Sequence, residues 1–281
     1  TSTTIWVRFP VVTAPSPLLE GASVMIWTTT PWTIPGNRAI GFGEEIDYAV
    51  FQVDAVAEGS GAEVGEKLVL ARELGEQVKA DAKIETWTEL GGVDSLAGTI
   101  CRHPWGGFAA AEGGYDFDVP VLPGDFVTTE QGTGFVHIAP GHGADDWSLG
   151  LKNGIEIPQT VDGSGVFYDH VPLLAGAVVY DGDGKPGDAN GRVLKALAEA
   201  GRLVAKGKLK HSYPHSWRSK APLIFRNTSQ WFISMETNQL REKALKAIDD
   251  TRFVPATGRN RLRSMIEHRP DWCISRQRLW G

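Results

Sequence analysis

The chain has 281 residues, 42% of them hydrophobic and 22% charged, enough apolar material for a sizeable core in one large or two modest domains, so disorder and low complexity are excluded. The formal net charge of −6 hides an asymmetry: residues 1–190 hold 9 Lys and Arg against 27 Asp and Glu, whereas 191–281 hold 19 against 7. The two cysteines, Cys101 and Cys273, are isolated, which excludes a disulfide scaffold and a zinc site built on cysteine.

The chain opens on the strand-like run TIWVRFPVV, with a strand predicted over 5–12 and no initiator Met, and it closes on SRQRLWG. Both ends read as cuts from something larger. No run of about 18 apolar residues and no basic-then-apolar leader occurs, so a cytoplasmic protein without membrane contact is expected.

A second strand is predicted over 23–29, and it runs straight into WTTTPWTIPGN, Trp27 to Asn37. Pro31 and Pro35 forbid a helix there and remove two backbone donors, which predicts a stiff irregular loop after the strand. Thr28, Thr29 and Thr30 then form a wall of hydroxyls at a strand end, with Trp27 and Trp32 beside them. Threonine is a good strand former, so the three residues alone also fit an ordinary strand.

Strands are predicted next over 48–53 and 67–71, with helical spacing over 70–80. Further on, GTGFVHIAPGHGADDW reads as a strand over 135–139, a Pro-Gly-His-Gly turn, and a helix opening near Asp145 and closing at Gly154. The Gly/Asp-rich run 181–191 is a surface loop, because it lacks the distal Glu of a calcium loop. Helices are predicted over 192–200, 236–248 and 260–268, the last ended by Pro270. The front two thirds is strand-rich, the back helical, and no internal repeat occurs.

Within ten residues fall His137, His142, Asp145 and Asp146. Three readings compete on the residues alone. The group could bind Zn or Mn, although histidines five apart across a turn lack the helical spacing of hydrolytic zinc motifs. Alternatively Asp145 caps the helix and His142 fills the turn. In the third reading Asp146 points into a pocket and holds a cation. Separately, the basic stretch from Lys206 to Arg278 interleaves aromatics in HSYPHSWRSKAPLIFRNTSQWF, a pattern that suits nucleic acid as well as a solvated surface.

Taken together, WTTTPWTIPGN, GTGFVHIAPGHGADDW and RPDWCISRQRLWG resemble the class I isoleucyl-tRNA synthetases, in the connective-peptide insertion that edits mischarged tRNA. Valine and leucine enzymes resemble Thr-Thr-Arg-Pro where this chain has Thr29-Thr30-Pro31-Trp32, and Pro-Ala-His where it has Pro140-Gly141-His142. The His-Ile-Gly-His and Lys-Met-Ser-Lys-Ser elements of the synthetase core are absent, and Ser216 stands where relatives often place a Cys.

The resemblance implies a mixed α/β fold. It would consist of a strand-rich, β-barrel-like editing domain over 1–205 flanked by helices, and a basic, mainly helical segment over 206–281 returning toward an absent catalytic core. The implied activity is hydrolysis of Val-tRNA(Ile), with valyl-adenylate a second candidate substrate. Editing would need no cofactor or metal, ATP and Mg belonging to the parent ligase. The implied partners are the acceptor end of tRNA(Ile) and the rest of the synthetase in cis.

By the same resemblance, Asp146 meets the α-ammonium of valine, and Thr28, Thr29 and Thr30 bond the ester, the terminal ribose or the water. Trp27 and Trp32 wall the pocket, Asn37 positions the acceptor end, and Ala139 and His142 complete the substrate contacts. His137 closes the floor against isoleucine and is a general base only second. A non-catalytic tRNA-binding module, and a metal-dependent hydrolase using His137, His142 and Asp146, are the alternatives.

Overall fold

The computed structural model describes residues 1–276. The last five residues of the closing motif, 277–281, Arg278 among them, lie outside the described residues. The chain divides into two compact units, residues 1–227 and residues from 228 on.

The first unit is built on a closed barrel. Its strands are β1 (Ser2–Thr13), β2 (Ala22–Thr28), β3 (Ala39–Phe42), β4 (Tyr48–Val56) and β5 (Lys67–Ala71), followed after helix α1 (Gly75–Asp81) by β6 (Ile84–Gly92), β7 (Ile100–Arg102), β8 (Asp118–Pro123) and β9 (Phe135–Ile138). Helices α2 (Ala144–Lys152) and α3 (Ala189–Glu199) precede β10 (Leu203–Leu209). In the ten-stranded sheet the order β1-β7-β8-β3-β9-β2 is closed by an additional β1–β2 pairing, which makes a six-stranded barrel. Strand β10 extends it beyond β1, and β5, β4 and β6 extend it beyond β2.

Alternation explains why these residues line the barrel. Ile5, Val7 and Phe9 of β1, Val24 and Ile26 of β2, Ile40 and Phe42 of β3 and Phe135 of β9 are buried together in the main core, each set spaced by two as a strand requires. The opposite faces of β1 and β2 place Trp6 and Met25 in a second core with Phe51, Leu68, Leu70 and Val78, under the β4–β5–β6 extension and α1. Helix α2 is amphipathic, and its Leu149 packs on Ala39 and Ile138.

One pairing positions the functional elements. Strand β2 runs parallel to β9 with Trp27 opposite Val136, so the next residues, Thr28 and His137, lie close to the C-terminal ends of adjacent strands. Antiparallel β3 flanks β9 on its other side, with Ile40 opposite His137.

The mixed α/β class and the barrel-like core agree with the expectation. Details differ. The helix expected over 70–80 starts only at Gly75, because Leu70 and Ala71 are taken up in pairing with β4. Strand β10 pairs with the first half of β1 and carries the chain past residue 205, so residues 206–227 stay with the first unit.

The second unit holds α4 (Leu240–Asp250), α5 (Thr257–Glu267) and a minimal pair of strands, β11 (Phe232–Ile233) and β12 (Trp272–Cys273). Asp249 clamps its helices by accepting from Arg259 and Arg263. Among the described residues no helix is long and apolar enough to cross a membrane.

Candidate functional site

The strand end at Thr28 does turn into a stiff loop, as the prolines predict. Residues Pro31–Gly36 form a short 3-10 turn in which every residue is buried, and Thr33 N–H closes on the Thr30 carbonyl at 3.0 Å. Thr28 Oγ1 accepts the Thr30 backbone N–H at 3.1 Å and lies 3.1 Å from Thr30 Oγ1. The hydroxyl wall is therefore internally cross-braced rather than an open row.

Asn37 and Thr33 extend this bracing to His137. Asn37 Nδ2 reaches the Ala39 carbonyl at 2.9 Å and His137 Nδ1 at 2.8 Å. A carbonyl only accepts, so the amide presents its NH2 end to both, and His137 Nδ1 is an acceptor. The ring proton then sits on Nε2, which donates to Thr33 Oγ1 at 3.0 Å, and Thr33 passes its own proton to the Thr30 carbonyl at 2.8 Å. Burial drives the His137 pKa down to about 3, with nearby His142 adding to the fall. His137 is thus a neutral, fixed ring with both nitrogens engaged. The secondary expectation that it acts as a general base does not fit, because no lone pair remains to take a proton.

The second arm follows β9. Ala139 N–H donates to Asp146 Oδ2 at 2.8 Å, folding the carboxylate back from the first turn of α2 onto the strand end. Burial raises the Asp146 pKa to about 6, against the lowering effect of the backbone hydrogen bonds its carboxylate accepts. Gly143 makes this possible, since a Cβ there would lie 2.9 Å from Asp146 Cγ. The expected cap by Asp145 is absent: Gly143 is the N-cap and makes no side-chain bond, and Asp145 instead lines a separate cleft. The turn before the helix is closed by His142 N–H on the Ala139 carbonyl at 2.8 Å.

His142 does more than fill the turn. Its Nδ1–H donates to the Phe225 carbonyl at 2.9 Å, and Nε2 accepts from Thr160 Oγ1 at 2.6 Å, while the ring meets Trp32 edge-on at 4.8 Å. Its nitrogens are committed to the protein. With both histidines so engaged, His137, His142 and Asp146 do not converge as ligands, and among the described residues no group of three or more His, Cys, Asp or Glu is arranged to hold a metal.

Two clefts open beside these elements, one at residues 27–29 and one at α2. One of about 310 Å³ is lined by Trp27, Thr28, Thr29 and, across from them, Phe126, Thr128, Glu130 and Gln131. A larger one of about 590 Å³ shares Phe126 with it and is lined by Glu44, Glu45, Asp125, Asp145 and Lys152. The structure thus joins Thr28, Thr30, Asn37 and His137 through Thr33, sets Asp146 on Ala139, packs Trp32 on His142, and exposes Trp27 and Thr29 to the smaller cleft.

Sequence reasoning missed four contributors. Thr33 had a local signal, three residues after Thr30 in a turn of period three. Thr160, which holds His142, had none. The other two grip the 31–36 turn by its backbone: Asn190 Oδ1 of α3 accepts Trp32 N–H at 3.0 Å, and His103 Nε2–H donates to the Ile34 carbonyl at 3.1 Å. His103 is fully buried, stacked 4.6 Å from Tyr115, and burial lowers its pKa to about 3.

The sequence profile of the class I tRNA synthetases (I, L, M and V) matches residues 17–281. Among individual proteins, the chain is similar to the isoleucine–tRNA ligase of Caulobacter vibrioides, 51% identical over all of this chain and 30% of that one, and to that of Bradyrhizobium diazoefficiens, 48% identical over the same shares. The chain spans 30% of the length of these relatives. Among solved structures it is similar to the editing domain of the cytosolic leucyl-tRNA synthetase of P. falciparum, with a TM-score of 0.40 and 10% identity over 55% of this chain and 68% of that one.

Proposed function

The chain belongs to the class I tRNA synthetases of the isoleucine, leucine, methionine and valine group, and on that premise we propose that it is the proofreading part of an isoleucyl-tRNA synthetase, hydrolysing valine wrongly esterified to tRNA(Ile). The observation that carries this reading is a neutral wall, Thr28–Thr30–Thr33–His137–Asn37, braced by its own hydrogen bonds, with one poised carboxylate, Asp146, held two residues past His137.

The need for such a site is energetic. One methylene is worth only about 1–3 kcal/mol in a hydrophobic pocket, and the isoleucine–valine choice is the standard illustration of that limit. A second pocket that admits only the smaller side chain and destroys what enters restores fidelity. A fixed ring such as His137 sets that size limit, because moving it breaks hydrogen bonds on both nitrogens.

In the reaction, a water oxygen attacks the ester carbonyl, the bond to the ribose oxygen breaks, and valine leaves as the carboxylic acid while the ribose regains its hydroxyl. Asp146, ionised at neutral pH, holds the α-ammonium by a charge-assisted hydrogen bond. The threonine hydroxyls, able to donate or accept, orient the ester and the water. An aminoacyl ester is already activated, so positioning and stabilisation of the developing oxyanion supply much of the acceleration. With His137 neutral and engaged, the water's proton passes through the vicinal hydroxyl of the terminal ribose.

The test is single-turnover deacylation of Val-tRNA(Ile) and Ile-tRNA(Ile) with and without a chelator. Loss of valine alone, indifferent to the chelator, is expected. Binding of tRNA with neither ester cleaved would replace the reading by a docking module, and chelator sensitivity would replace it by a metal hydrolase.

A further inference from the structure

The 31–36 turn carries the residues that lock His137, yet its first backbone donor has no acceptor within the turn. Pro31 supplies no N–H, Thr33 N–H is bonded to the Thr30 carbonyl, and the Trp32 N–H, on a residue only 4% exposed, is left over. A buried backbone donor of this kind needs a partner. The partner is a side chain 158 residues away, Asn190 Oδ1 at 3.0 Å.

We propose that Asn190 is a positioning residue of the site: by holding Trp32 N–H it fixes the turn that carries Thr33 and is flanked by Thr30 and Asn37, and through them the orientation of His137. The proposal rests on the proofreading reading. The helix that presents Asn190 is itself anchored, since Ala189 N–H bonds the Val178 carbonyl at 3.0 Å and Asp188 Oδ1 accepts Val178 N–H at 2.8 Å. His103 and Arg38 restrain the far end of the same turn, at the carbonyls of Ile34 and Asn37, while at the end next to Thr30, which Thr28 braces from its own strand, Asn190 supplies the hydrogen bond from a distant helix. Without it, Trp32 N–H is relieved only by a shift of the turn, and Thr33, the next residue, moves with it. A displacement of about 1 Å at reacting groups is enough to lower a rate about a hundredfold.

Asn190 is the informative position because it is only partly buried and sits in the first turn of α3, where both Ala and Asp suit a helix. Asn190→Ala removes the acceptor, and Asn190→Asp keeps an oxygen on the same stem. In the 281-residue chain, Asn190→Ala is expected to lower valine-ester hydrolysis about 10- to 100-fold. It should also narrow the valine-over-isoleucine ratio and speed hydrogen exchange in the peptide containing Trp32, and Asn190→Asp should restore all three. Equal loss in both variants, or unchanged exchange at Trp32, would overturn the assignment, as would an active wild type matched by Asn190→Ala. A wild type that cleaves neither ester would instead remove the proofreading reading, and this proposal with it.

Discussion

The two arms of the site are built on opposite principles. The Thr28–Asn37 arm is neutral and closed: Thr28, Thr33 and Asn37 are buried, and the His137 ring that Thr33 and Asn37 hold is neutral near neutral pH. The Ala139–Asp146 arm keeps a carboxylate partly buried, at a pKa raised to about 6, held by a glycine-dependent close approach. On the proposed reading, the difference assigns shape to one arm and charge to the other: the neutral floor would discriminate by size, and the single costly charge would recognise the ammonium that every aminoacyl ester shares.

The largest effect expected from breaking this division is at the charge. Asp146→Ala should lower valine-ester hydrolysis at least about a hundredfold, in the range of losing one partner of a desolvated ion pair. Single-turnover rates check it. Asp146→Asn, which keeps an acceptor for Ala139 N–H, should be nearly as inactive, because the floor cannot substitute for the charge.

On the neutral arm, Thr33→Val removes the hydroxyl that receives His137 Nε2–H at 3.0 Å. An orphaned buried donor costs about 1–3 kcal/mol, so the ring should shift. The expected result is a drop of about tenfold in the valine-over-isoleucine ratio with valine hydrolysis less affected, read from parallel assays on the two esters. Equal loss on both esters would mean that the arms do not divide shape from charge.

Gly143→Ala tests the contact between backbone and carboxylate. The added Cβ would crowd Asp146 Cγ at 2.9 Å and swing the carboxylate off Ala139 N–H. A loss of about 3- to 30-fold on valine ester is expected, smaller than removing the charge because the carboxylate remains.

The smallest effect is on stability. Asp146 has a folded pKa near 6, above its ordinary 3.8, so its contribution to stability is fully present below about 3.8 and is lost as pH rises through about 6. Asp146→Asn removes that loss and should raise stability at pH 7 by about 1–3 kcal/mol, with no gain at pH 3.5. His103 and His137 work with the opposite sign. Their folded values near 3 lie below 6.5, so their contribution is present above about 6.5 and is lost as pH falls toward 3 in both proteins. Thermal melts of the pair across pH 3.5–8 separate the two.

How much of this was legible in the sequence follows from how local each signal is. The β2 run, the proline-stiffened loop and the strand–turn–helix around His137 and Asp146 are encoded by neighbouring residues, and they were readable within a residue or two. Strands such as β3, AIGF, and β7, ICR, are too short to show a period and exist because the barrel supplies partners on both sides. Strand β10, LVAKGKL, hides its pattern behind lysines and is fixed by pairing with β1. The same holds at the site. Thr28, Asn37 and Asp146 announce themselves, whereas Asn190 and His103 act on the turn across 158 and 69 residues, a relation that only the closed barrel and α3 create. The helix cap was misassigned to Asp145 because the spacing alone does not tell which of two adjacent carboxylates folds back, and Gly143 leaves room for Asp146.

The most direct test of the division between shape and charge is the pH dependence of kcat/KM for valine-ester hydrolysis, wild type beside Asp146→Asn. The wild type should rise through one ionisation near 6 and fall again above about 8 as the substrate ammonium loses its proton, with the rising limb absent from the variant. A rising limb that survives in Asp146→Asn would place the titrating group elsewhere and contradict the account.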